Sequence, residues 1–157
     1  ATDTFQAAVA LGMVGGNFGV GGNTIANLLA RMPDIFAARD VTSDDVAVIA
    51  IGRNDVGGAF DSTKTSDYQG IVSACLDAGY GRIVCRGILP ENDTWGKWTA
   101  ENGSIASIAS GFGDPRVVFC DTSTWMGFAT ADGTHPTDAG YVTITGYAVP
   151  EYAALLA

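Results

Sequence analysis

The chain has 157 residues, 47% of them hydrophobic, which suits one domain with a core of its own and excludes a disordered chain. Its formal net charge is −9 with only 8 Lys plus Arg, so it lacks the clustered positive charge that a nucleic acid or an anionic membrane surface requires. No apolar run is long enough to span a bilayer; the nearest, Val46 to Ile51, has the length of a strand.

Helices and strands are expected to alternate along the chain. "DTFQAAVAL" (3–11) reads as a helix, with Phe5, Ala8 and Val9 at helical spacing and Gly12 behind it. "GNFGV" (16–20) is a short strand candidate. "GGNTIANLLARM" (21–32) turns through glycines into a helix capped by Asn23 or Thr24, with Ile25, Leu28, Leu29 and Met32 on one face and Pro33 at its end. "DVAVIAIG" (45–52) has no polar alternation, the mark of a strand buried on both faces of a parallel sheet. An amphipathic helix over 66–79 stops at Gly79, and "RIVCRGIL" (82–89) is a second buried strand. A helix over 101–113, a strand over 116–121 and a closing helix over 138–157 follow; Gly146 and Pro150 should bend or break the last.

This order predicts an α/β, three-layer, doubly wound parallel sheet forming a single domain over 1–157. In such folds ligands bind beyond the carboxyl ends of the strands. Here those ends lead into Gly19–Thr24, Gly52–Phe60, Ile88–Trp98 and Asp121–His135. The cysteines, Cys75, Cys85 and Cys120, have no metal-ligand spacing and read as buried free thiols. Acids that are nearly all Asp, with little Lys, fit a loop-rich, extracellular protein.

Three of these loops carry chemistry. In "DGTHPTDAGY" (132–141), Asp132 precedes the single histidine, His135, by three residues. That spacing lets the carboxylate accept the imidazole Nδ1–H and leaves Nε2 as a base. In "IGRNDVGG" (51–58), Asn54 is either an oxyanion donor or an ordinary turn residue, and Asp55 would hold the loop through backbone bonds. "NFGVGGNT" (17–24) fits neither dinucleotide nor P-loop patterns; its N–H groups, Gly22 above all, could serve an oxyanion.

Together these segments resemble the SGNH hydrolases, the GDSL-like esterases and lipases, across the whole chain. "FGVGGNT" looks like the glycine block, "GRND" matches G-x-N-D, and "DGTHPTDAGY" matches the D-x-x-H block with its trailing Pro and Gly-Tyr. The resemblance implies a flavodoxin-like fold and ester hydrolysis through a serine acyl-enzyme, without metal or cofactor. It makes His135 the general base, Asp132 its orienter, and Gly22 N–H and the Asn54 amide the oxyanion hole.

The chain departs from the family at the nucleophile. The family's strand ending in Gly-Asp-Ser precedes the first helix, and no serine here follows Gly-Asp; Ser123 is the nearest substitute. The expectation is a chain incomplete at its N-terminus, with the serine and the first strand before Ala1 or supplied by another chain, and a fold weakened where that strand is missing. Two alternatives stand beside it: a non-catalytic binding or structural module of a larger surface or virion assembly, and an anion- or nucleotide-binding flavodoxin-like domain. Trp95, Trp98 and Trp125 on predicted crevice loops either offer platforms for sugar rings or an acyl chain or pack under their own loops; the polar, acidic, tryptophan-bearing rim favours a small-molecule or carbohydrate O-acetyl ester as substrate.

Overall fold

The computed structural model describes residues 3–55, 58–90 and 98–157. Its elements run α1 (Asp3–Ala10), α2 (Ile25–Ala37), β1 (Val46–Ile49), α3 (Ser62–Ala78), β2 (Arg82–Arg86), α4 (Thr99–Gly111), β3 (Val117–Cys120) and α5 (Asp138–Leu156). The strands form a parallel sheet in the order β1-β2-β3, with Val46 opposite Arg82 and Ile83 opposite Val117.

Alternate residues of each strand point to opposite faces, and the core divides accordingly. Ala47, Ile49, Ile83, Cys85, Val117 and Phe119 pack against the apolar faces of α2, α3 and α4. Val46, Val48, Val84, Val118 and Cys120 pack against α1 and α5. This is the three-layer, doubly wound arrangement predicted. Strands buried on both sides have no polar face to show, which is why they read as unbroken apolar runs.

Local signals set the helix ends. Thr24 caps α2 with its side chain on Asn27 N, and Asn27 reciprocates in a capping box. Asp61 caps α3, whose first residue, Ser62, lies four residues before the start expected at 66, and Gly79 ends it in the left-handed conformation (φ 99°).

Three expectations need correction. Pro33 lies inside α2, which continues to Ala37. An interior proline costs about 3 kcal/mol. The turn beyond it buries Ile35 and packs Phe36 on the core, each side chain contributing roughly 1.5–3 kcal/mol when fully buried, so burial outweighs the lost hydrogen bond. In the same way α5 passes Gly146 and Pro150 unbroken to Leu156 and buries Tyr152. Residues 16–20 form no strand. A strand requires a partner for its N–H and C=O groups, and these residues face the outer edge of β1 across a groove instead of pairing with it.

That groove has a volume of about 630 Å³. It runs along Asp45–Asn54, walled by Ala8 of α1 and Leu11 just after it, by 13–23, by Leu28 and Met32 of α2, and by Tyr141 and Tyr152 of α5. Val14 on its rim is fully exposed. Among the described residues no helix is long and apolar enough to cross a membrane.

Candidate active site

The carboxyl end of the groove is the candidate site: Gly22, Asn54 and His135 all line it. Asp132 stands behind His135. Its Oδ2 lies 2.7 Å from His135 Nδ1, and its Oδ1 accepts the backbone N–H groups of His135 (2.7 Å) and Thr134 (3.0 Å). These bonds, led by the His135 N–H, then the His135 ring, then the Thr134 N–H, hold the Asp132 carboxyl down at about 2. A carboxylate ionised at neutral pH keeps the proton on Nδ1 and leaves the Nε2 lone pair available as a base.

The turn carrying the pair is pinned at its ends. Ala131 N donates to His135 O (2.8 Å), Gly133 N to Thr130 Oγ1 (3.1 Å), and Thr137 N to Ala129 O (3.0 Å). Thr137 then caps α5 through Gly140 N. A Cβ on Gly140 would stand 2.1 Å from Ala129 O, so only glycine lets α5 begin this close to the turn. That is a packing reason for the Gly of "DAGY".

The other two blocks are bonded to each other. Asn54 Nδ2 donates to Asn23 O at 3.0 Å. The amide has two N–H bonds, so this contact uses only one of its donors. Asp55 Oδ2 accepts Ile25 N at 3.0 Å, at the first turn of α2. Burial pushes the Asp55 carboxyl upward, against the pull of the Ile25 N–H. Asp55 was expected to hold its own loop; it also caps the neighbouring helix, and so locks the glycine loop to "GRND". Gly22 has φ 80°, open to glycine but strained for other residues.

The tryptophans are not platforms where they are described. Trp125 is buried against Tyr147 and Tyr152, and Trp98 is buried at the start of α4; Trp95 lies outside the described residues. Large flat rings gain more by packing under their own loops than by facing water. Ser123 is exposed, and its N–H donates to Asp121 Oδ1 at 2.8 Å. Among the described residues no serine lines the groove. No group of three metal-ligating side chains occurs among them either.

Sequence reasoning missed Arg53, which donates from Nη2 to Thr134 O at 3.2 Å and lies over Trp98. It also missed Asn102, whose side chain clamps Ile88 N and Ile88 O at the end of β2. Both contacts are distant in sequence; Arg53 directly follows the strand expected over 45–52, while Asn102 lies inside the helix expected over 101–113 and carries no local signal.

Solved structures with this architecture include a GDSL-like lipase from Bacteroides thetaiotaomicron (18% identity, TM-score 0.60, 95% of this chain and 80% of that one). A catalytic mutant of an acetylxylan esterase from Geobacillus stearothermophilus is similar as well (21% identity, TM-score 0.64, 95% of this chain and 76% of that one). At these identities the likeness establishes the fold. No curated protein sequence matches the chain. The sequence profile of the GDSL-like lipase/acylhydrolase family matches residues 3–142, and the chain belongs to that family of ester hydrolases.

Proposed function

We propose that the protein is a serine-type carboxylic-ester hydrolase acting on O-acetyl esters of carbohydrates. The observation that carries this reading is the 2.7 Å His135–Asp132 pair on the same groove end as Gly22 and Asn54. A base with its orienter on one side and two N–H donors on the other is what acyl transfer needs.

In this mechanism His135 Nε2 takes the proton of a serine hydroxyl as its oxygen bonds to the ester carbonyl carbon. The carbonyl oxygen becomes an oxyanion held by Gly22 N–H and the Asn54 amide. Collapse breaks the bond to the alcohol, which leaves with the proton from His135. Water, activated by the same imidazole, then releases the acid and restores the serine.

The serine is proposed to arrive on a strand lying along the outer edge of β1, from sequence preceding α1. The groove follows that edge, has apolar walls and ends at His135. Arg86 Nη1, at the carboxyl end of β2, donates to Thr4 Oγ1 in the first turn of α1 (3.2 Å). The first helix therefore starts at the catalytic end of the sheet, where a strand parallel to β1 would deliver its last residue. The acetyl-carbohydrate class is supported by the likeness to an acetylxylan esterase. The competing reading, a binding module, draws on the absence of a groove-lining serine among the described residues.

The test uses the protein expressed from its natural start. It should hydrolyse p-nitrophenyl acetate and acetylated xylan in preference to long-chain esters, and a fluorophosphonate should label one serine before α1. His135→Ala should lower kcat/KM by about 10²–10⁴-fold. Turnover indifferent to His135, with no labelled serine, would leave the binding module as the function.

A further inference from the structure

We propose that Arg53 is a positioning residue that sets the separation between Asn54 and His135; the proposal rests on the hydrolase reading of this site. The peptide unit joining Thr134 to His135 is gripped at both ends. Its N–H, that of His135, donates to Asp132 Oδ1 at 2.7 Å. Its carbonyl, that of Thr134, accepts from Arg53 Nη2 at 3.2 Å. The first grip comes from within the turn and travels with it. The second comes from a residue 81 positions away in sequence, on the loop that carries Asn54. Arg53 thus ties the base-bearing turn to the oxyanion loop.

The anchor end is firm. Arg53 leaves a turn closed by Asp55 N donating to Gly52 O (3.0 Å) and fastened to α2 through Asp55 and Ile25. The guanidinium carbon lies 5.7 Å from the centroid of the Trp98 ring, so the buried ring at the start of α4 supports the side chain from a further element. Only a planar guanidinium both stacks on a ring and directs an N–H in a fixed direction; a lysine ammonium can carry the charge but not the geometry. The Asp132–His135 pair can survive loss of Arg53, because its bonds are internal to the turn, although those bonds open more often once the turn is untethered. The position of that pair relative to Asn54 cannot, and a displacement of about 1 Å in a catalytic arrangement can cost 10²-fold.

The experiment compares wild type, Arg53→Met and Arg53→Lys by ester turnover and by amide hydrogen exchange. Both variants should lose about 10–10²-fold in kcat with KM changed less than about 3-fold. Exchange should accelerate at Thr134 and His135 in both, while α2 and β1 stay as in wild type. Unchanged exchange at 134–135, or acceleration spread through α2 and β1, would overturn the proposal, as would full kcat in Arg53→Lys. If wild type hydrolyses no ester, the hydrolase reading has failed, and the exchange pattern still decides whether Arg53 holds the turn.

Discussion

Asp132 does two things with one carboxylate: it orients the His135 imidazole and it folds a turn. Its Oδ1 closes the 132–135 backbone while Oδ2 holds the imidazole. The pH consequence has a definite sign. The folded state holds the group at about 2, below its ordinary value of 3.8, so the fold favours the ionised form. That contribution is complete above roughly pH 4 and is lost as pH falls through about 2. The side chain is half exposed, so salt weakens the part that comes from charge on the ring. Asp45 and Asp114 are lowered too, the first by the Thr42 N–H and the second by the Arg116 side chain, and act in the same direction. The Asp132 share is isolated by comparison with Asp132→Asn. Between pH 4 and pH 2 the thermal midpoint of wild type should fall more steeply than that of the variant. Parallel slopes would show that the three bonds do not favour the ionised carboxylate.

At the scale of elements, the N-terminus of α2 is where two sequence blocks become one site. Ile25 is fully buried, and its N–H has Asp55 Oδ2 as acceptor. Asp55→Ala should leave that donor unsatisfied and cost about 1–3 kcal/mol, read as a lower denaturant midpoint at unchanged slope. Asp55→Asn keeps an acceptor oxygen and should lose less. An Ala variant as stable as wild type would show that water replaces the carboxylate. What could be read from the sequence follows the range of the interactions. The three buried strands, the helix stop at Gly79 and the Asp132–His135 spacing are local patterns, and each is present where expected. Pro33 was misjudged because the gain from burying Ile35 lies in packing across α2 and the core, not in the helix itself. Residues 16–20 were misjudged because being a strand is a property of a pair, and their composition does not reveal the partner. Arg53 was invisible because Thr134 is brought to it only by the fold.

For the whole molecule, the outer edge of β1 is the seam. Helices cover both faces of the sheet, and along this edge the two layers meet across a groove. The three thiols report on how the seam and the core open. Cys75 and Cys85 sit in the layer of α2, α3 and α4, and Cys120 in the layer of α1 and α5. All three are buried and free. Burial pushes Cys75 up to about 12 and Cys85 up to about 11, so neither carries appreciable thiolate at neutral pH. In the folded protein none should react with a disulfide reagent on the minute scale, and all three should react together once denaturant unfolds the chain. The groove sharpens this, because Cys75 is the thiol among its lining residues. If β1 and α2 part along the seam before the rest unfolds, Cys75 reacts first at sub-denaturing concentrations, ahead of Cys120 beneath α5. Labelling with mass detection at each site separates the cases. Simultaneous reaction of all three would show that the sheet and its helices open as one cooperative unit despite the groove, and that the β1 edge is not a line of weakness.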